Sequence, residues 1–302
     1  MKGKPPLILD KRAERILRAI SFYRYMGALD VSYLLYSPGA LARVRKTLLA
    51  LSGGGDFVAR EYLYRFQLPG EGNPQRVYTL GSRGRDYLAN EVGIPVSWHF
   101  RPEAVKHFSH AHVVHSLLVT RVMVAAAVWA RGQEGIRLAD RRISYELWDK
   151  PPIVEIAAEG GPKQVKVIPD AWFLFERRDG KRASVLLEID RGREYQAAFK
   201  AHVAARIAFI VSGQYERVFG TRGVTIAYAT TGERPEYRQS RLLAMCQWTK
   251  EVLSAQGRAE WVNVFRFCHL SLDETFELPL FDGPAWRRIG SEKPVSLFSP
   301  AG

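Results

Sequence analysis

Cysteine is scarce in this chain: of 302 residues only Cys246 and Cys268 carry a thiol, and neither belongs to a C-x-x-C pair. A disulfide framework and a thiolate zinc site are thereby excluded, and a reducing interior suits the protein. The N-terminal stretch Met1-Lys2-Gly3-Lys4-Pro5-Pro6 lacks the apolar core of a signal peptide, and no run is read as approaching the roughly 20 apolar residues of a membrane span. The expectation is a cytoplasmic protein with no membrane partner. Internal repeats and low-complexity tracts are missing as well. Acids are the minority charge, 31 Asp and Glu against 44 Lys and Arg, which leaves a net +13 and points to a polyanionic partner, nucleic acid first. A hydrophobic content of 47% is enough for two domains with their own cores, which excludes wholesale disorder.

The first hundred residues alternate short helical stripes with glycine. Asp10 is placed to cap a helix running to about Met26, with Ile16, Leu17, Ile20, Phe22 and Tyr23 near a 3.6-residue spacing and Gly27 ending it. A short helix over Asp30 to Tyr36 follows, and Ser37-Pro38 opens a third from Gly39 to Leu51, where Leu41, Val44, Leu48 and Leu51 share a face. Ser52-Gly53-Gly54-Gly55 stops it. Two β-like runs, Phe57 to Leu68 and Gln75 to Leu80, flank Pro69-Gly70-Glu71-Gly72-Asn73-Pro74 as a hairpin, and a last helix covers Ser82 to about Asn90. This order looks like a winged helix-turn-helix. On that resemblance Arg43, Arg45 and Lys46 on the third helix face duplex DNA, Arg60, Arg65 and Arg76 serve the wing, and Arg83 and Arg85 hold phosphate. The expected division is a winged-helix domain over 1–95, a linker over 96–105, an α/β domain over 106–270 and an extended tail over 271–302, of which 290–302 frays.

A long helix is expected from Lys106 to Trp129, opening with His107, His110, His112 and His115. The i,i+3 pairs permit a metal, but no H-E-x-x-H motif or regular acid partner accompanies them, and imidazoles bonded to backbone or to neighbouring acids are the favoured reading. His115, set among apolar positions, is expected to be buried. Beyond Gly132 the chain turns mainly extended: Arg141 to Trp148 as a connection, a strand from Ile153 to Ala157, a turn at Gly160-Gly161-Pro162, strands over Val165 to Phe175 and Ala183 to Asp190, a helix from Glu194 to Val211, a strand from Val224 to Ala229, a helix from Pro235 to Ala255 and a strand from Trp261 to Phe267. That succession fits an α/β fold with a mixed sheet, α+β taken over the whole chain.

The chemistry lies at the ends of those strands. Glu188 and Asp190, two apart, share one strand face, and Asp170 stands opposite them if the hairpin through Asp179-Gly180 is in register. Converging carboxylates make a hard-oxygen site for Mg or Mn, with Asp170, Glu188 and Asp190 as metal ligands. Lys200, on the following helix, is placed to approach the same point. The pattern resembles the nuclease core of many restriction enzymes and resolvases, whose signature is Pro-Asp on one strand and Glu-x-Lys on the next. Pro169-Asp170 matches the first half, but Glu188-Ile189-Asp190 puts an acid where the lysine belongs. The resemblance therefore implies catalytic Asp170, Glu188 and Asp190, with Lys200 supplying the cation and Glu146 a further acid. Over roughly residues 10 to 230 the winged helix, the histidine-containing helix, Tyr145-Glu146, Pro169-Asp170 and Leu187-Glu188-Ile189-Asp190-Arg191-Gly192-Arg193-Glu194 resemble the replication-relaxation family, whose members on plasmids and integrative elements are associated with replication or mobilisation of DNA.

Two functions compete. The first is a DNA-binding protein of a plasmid or mobile element that nicks or cleaves duplex DNA as a Mg-dependent endonuclease. The second is an origin-binding or regulatory protein whose nuclease-like restriction-endonuclease-like domain is an inactive scaffold, with Glu188, Asp190 and Glu194 paired to Arg191, Arg193, Arg206 or Lys200. An adaptor that meets other replication or transfer proteins and a transcription regulator with a small-molecule sensor are further readings, and a homo-oligomer is compatible with all of them. No tyrosine spacing identifies a relaxase nucleophile. The orientation of Lys200 separates the two leading readings: toward the acids favours cleavage, away from them favours a structural role.

Overall fold

The computed structural model describes residues 9–53, 61–68, 75–96, 109–158, 160–192, 194–231 and 235–298. It is an α/β fold in two compact units, Met1–Val124 and Ala125–Gly302. The boundary falls inside a helix rather than in the 96–105 segment read as a linker, most of which lies outside the described residues.

In the first unit α1 (Lys11–Tyr23) starts at Asp10, whose carboxylate accepts the Ala13 N–H at 2.7 Å, and buries Ile16, Leu17 and Ile20. The helix stops at Tyr23, three residues before the expected end, because Arg24 turns left-handed at φ 64° and the next residues enter a sheet. That strand, β1 (Met26–Gly27), pairs antiparallel with β3 (Gln75–Leu80), which pairs in turn with β2 (Leu63–Leu68) in a sheet of order β1-β3-β2. Two residues are too few to carry an alternating pattern, so β1 left no mark in the sequence reading. Between them come α2 (Ala28–Leu35), a 3-10 turn over Pro38–Ala40 and α3 (Leu41–Leu51), and α4 (Ser82–Asn90) follows the hairpin. Gly84 on α4 is pressed against the chain entering β2: a Cβ there would lie 2.1 Å from the Tyr62 carbonyl oxygen.

The next helix, α5 (His110–Gly132), is longer and more apolar than the sequence reading allowed. With a mean hydropathy of 1.8 over its most apolar window it is long and apolar enough to cross a membrane, yet 61% of that window is buried within the protein, as in a core helix. Its first half belongs to the first unit. There Thr120 donates to the Tyr23 carbonyl at 3.1 Å, and Arg121 donates to Asp30 at 3.0 Å.

The second unit is built on a five-stranded sheet of order β10-β9-β8-β7-β4. Its strands are β4 (Ile136–Ile143), β7 (Ala171–Arg177), β8 (Arg182–Asp190), β9 (Thr225–Thr230) and β10 (Phe265–His269). The first three run antiparallel to their neighbours, and β8, β9 and β10 are parallel, joined by crossovers through α6 (Gln196–Val211) and α8 (Pro235–Ala255). A short helix, α7 (Gln214–Phe219), lies between α6 and β9. A separate two-stranded ribbon pairs β5 (Ile153–Ala158) with β6 (Gly161–Lys166). The strand expected over Val165 to Phe175 is thus two strands: proline at 169 has no N–H to give a ladder, and the chain leaves β6 before it and enters β7 after Asp170. The strand expected at Trp261 is a 3-10 turn over Ala259–Val264 that leads into β10.

One face of the sheet, with Trp172, Leu174, Leu186, Ile226, Phe265 and Phe267, packs on Phe199, Val203 and Ile207 of α6 and Met245 and Leu253 of α8. Inside it Trp172 Nε1 donates to the Tyr215 hydroxyl at 2.8 Å, and that hydroxyl shares a hydrogen bond with Ser184 at 2.6 Å. Trp129, Phe175, Phe281 and Phe298 cluster around the C-terminal segment, where Trp286 pairs with Val295 and Leu297 is buried. The fraying expected from Gly290 onward is absent as far as Phe298, because these aromatic side chains bury it.

Candidate functional site

On α3 the burial of Val44, Leu48 and Leu51 turns Arg43, Arg45 and Lys46 outward, and all three are exposed. No acid among the described residues pairs with them. Across the hairpin Arg65 stands opposite Tyr78 and Gln67 opposite Arg76, so these side chains share one face. Arg76 is exposed, whereas Arg65 is buried. Burial raises the Tyr78 pKa, and the charges of Arg65, Arg76 and Arg45 oppose that rise, so the three cations gather about one ring. Arg83 is exposed and lies 4.4 Å over the Tyr62 ring, and Arg85 sits 3.4 Å from Asp86. Arg60 and His107 lie outside the described residues. His110 is exposed and His112 and His115 are half-buried, so the full burial expected of His115 does not occur.

In the second unit the strand acids are gathered as the spacing requires. The ladder that sets Ala171 against Leu187 carries on to bring Asp170 opposite Glu188, and Asp170 Oδ2 accepts the Ile189 N–H at 2.7 Å. Glu188 is held by Arg206 of α6 through a close Nε to Oε1 ion pair in which both side chains are largely buried. Burial raises the Glu188 pKa, Arg206 pulls it back, and the neighbouring Asp170 pushes it up again. Asp190 takes a two-pronged contact from Arg241 of α8, at 2.8 and 3.0 Å, and a third hydrogen bond from Thr230 at 3.0 Å. Arg241 also donates to the Glu194 carbonyl at 2.9 Å and lies 5.1 Å over the Trp248 ring. Glu194 in turn holds His202 Nδ1 at 2.6 Å, and this hydrogen bond, opposed by burial, raises the His202 pKa.

Lys200 and Glu146 stand apart from this network. The Lys200 ammonium lies 2.6 Å from Glu251 of α8, so its acid partner is on a helix rather than on the strands. Glu146 accepts the Ile143 N–H at 2.9 Å and caps the 3-10 turn Ser144–Leu147, with burial raising its pKa. Among the described residues no group of three or more His, Cys, Asp and Glu could hold a metal ion. A Mg or Mn ion at Asp170, Glu188 and Asp190 would have to displace the guanidinium of Arg206, that of Arg241, or both. As they stand the residues fit a structural ion network.

Arg206 was legible in the sequence as a partner for the acids, but Arg241 and His202 were not. Arg241 is 51 residues from Asp190, and only the packing of α8 brings it there. A family model described as Replication-relaxation matches residues 35–225, which takes in α3, the hairpin and the strand acids and leaves Arg241 beyond its end. No curated protein and no solved structure matches the chain.

Proposed function

The chain belongs to the replication-relaxation family, and we propose that it serves there as a duplex-DNA-binding protein whose second unit is a non-catalytic scaffold. Membership suggests a role in plasmid or mobile-element replication or relaxation. The reading is carried by the exposed Arg43, Arg45 and Lys46, opposite the buried stripe of α3 and without an acid partner among the described residues. The order α1, α2, α3, β2, β3 is that of a winged helix, in which the third helix lies in the major groove and the hairpin follows the backbone. Exposed Arg76 extends the cationic surface onto the hairpin. The scaffold half is supported by the guanidinium partners of Glu188 and Asp190 and by the pairing of Lys200 with Glu251.

Duplex binding measured by fluorescence anisotropy over a salt series tests this. Each phosphate contact contributes about 0.9 to the salt slope, so Arg43→Ala/Arg45→Ala/Lys46→Ala is expected to flatten it by about 2.7. An unchanged slope in the folded variant would remove the proposal. A second reading is favoured by Asp170 standing opposite Glu188: Asp170, Glu188 and Asp190 hold Mg or Mn, and the unit nicks DNA with help from Glu146 and Lys200. Plasmid nicking in Mn²⁺ by the wild type, lost in Asp170→Ala, would establish it over the scaffold.

A further inference from the structure

Four oxygen-bearing groups meet where α6 crosses the start of β7 and the end of β8. They are the carboxylates of Asp170 and Glu188, the Ile168 carbonyl and the Tyr228 hydroxyl. Asp170 and Glu188 are opposite each other on adjacent strands, and Tyr228 is the partner of Glu188 on the other side, in β9. The Tyr228 hydroxyl is buried and has no hydrogen-bond partner among the described residues. Glu188 and Arg206 are the two charges it feels most. Oxygen donors with two negative charges and no thiolate or imidazole are the set that a hard divalent cation takes. One cation is already there: Arg206 is buried, its Nε is ion-paired with Glu188, and its Nη2 reaches toward the Ile168 oxygen at 3.4 Å.

We infer that Arg206 is the built-in cation of this oxygen site, that it closes the site to divalent ions in the wild-type protein, and that its removal opens the site to Mg²⁺ or Mn²⁺. The physical ground is mutual exclusion. Two like charges cannot share one pair of carboxylates in a desolvated setting, where their repulsion is screened far less than in water. A guanidinium tethered to α6 is present at an effective concentration that no free ion matches. Loss of that tether leaves Asp170 and Glu188 facing each other without a counter-charge, and the cost of that arrangement is what an ion would relieve. The inference rests on the non-catalytic reading of the second unit and is independent of DNA binding.

The test is a calorimetric titration of MnCl₂ into the full chain without DNA, with thermal melting alongside. The wild type and Arg206→Lys are expected to give no saturable binding. Arg206→Ala is expected to bind at least tenfold more tightly than the wild type and to melt higher as Mn²⁺ is added, and Glu188→Gln in the same background is expected to abolish both effects. Equal Mn²⁺ affinity in the wild type and Arg206→Ala would overturn the inference, as would a folded Arg206→Ala that gains no binding. If Arg206→Ala is unfolded without metal, Mn²⁺ must restore its far-UV circular dichroism, and failure to do so also overturns it. Because no DNA is present, these outcomes are separate from a failure of the DNA-binding reading, which the salt series detects.

Discussion

Replacing Arg121 with methionine removes one charge from a pair that has almost no access to water. Asp30 is fully buried and Arg121 is 2% exposed. The carboxylate accepts the Gly27 N–H at 2.6 Å and the Arg121 Nε–H at 3.0 Å. Burial is the largest influence on Asp30 and raises its pKa, and the Arg121 charge is the largest influence against it. Orphaning one partner of a buried pair costs about 3–5 kcal/mol. Protonation offers Asp30 an escape. An unfolded aspartate titrates near 3.9, so holding the group neutral at pH 7 costs about 1.4 kcal/mol for each of roughly three pH units, or about 4 kcal/mol. The two routes agree on the size of the loss, and only the second has a pH signature. A carboxyl that is protonated when folded and ionised when unfolded has a raised folded pKa, so the variant gains stability as pH falls through that value toward 3.9. Its deficit against the wild type is therefore expected to shrink by about 1.4 kcal/mol per pH unit, to roughly 1.5 kcal/mol at pH 5, wherever the wild-type pair stays ionised. Hydrogen exchange of α1 and α2 peptides along a urea series at pH 7, 6 and 5 reads this unit by itself. The neutral pair Asp30→Asn/Arg121→Met is expected to lose less than the single variant and to show no such slope. A loss under about 1 kcal/mol at pH 7, a deficit that does not change with pH, or a double variant as damaged as the single one would refute the reasoning.

Three further outcomes are expected. Arg241→Ala strips Asp190 of its two-pronged partner and leaves Thr230 as a neutral donor, at a cost of about 3 kcal/mol in urea unfolding of the second unit; a loss within error of zero would show that the contact carries little. His202 is protonated more readily when folded because Glu194 holds it, so its contribution is complete below about pH 6.5 and is lost as pH rises through the raised folded value. The pair is half-exposed, which limits the effect to under about 1 kcal/mol, and melting of the wild type and His202→Gln should converge between pH 6 and 8; parallel curves would contradict it. Lys200→Ala removes an exposed pair with Glu251 and is expected to cost less than about 1 kcal/mol and to leave duplex affinity unchanged, so a selective loss of DNA cleavage in this variant would instead assign Lys200 to catalysis.

Local pattern carried much of the fold. The ranges of α4 and α8 are those the spacing predicts, and the meeting of Asp170 with Glu188 follows from period-two strands joined at Asp179-Gly180. What the pattern hid has physical causes. β4 contains Arg137, Asp140, Arg141 and Arg142 and a shift of register between Leu138 and Asp140, so its alternation is broken by charge and by the bulge itself. α7 has six residues, too few for a helical stripe. The partner of Lys200 was out of reach because Glu251 lies in a helix that a whole strand separates from α6, and the contact exists only through α6 on α8 packing. Arg65 sits in an exposed-looking alternation yet is buried, since neighbouring side chains and not strand periodicity decide how much water a long side chain meets.

The clasp that Arg241 forms also bears on the order in which the second unit assembles. Arg241 joins the end of β8 to α8 and ties the Asp190 carboxylate and the Glu194 carbonyl to one guanidinium, across 51 and 47 residues of chain. Contacts of that separation pay a loop-closure entropy that the β7–β8 hairpin does not, so they form after the hairpin and after β9 has found β8. A contact absent from the folding transition state leaves the folding rate nearly untouched and acts on the unfolding rate instead. The clasp is therefore a kinetic latch: its strength sets how long the second unit stays closed once formed rather than how quickly it forms.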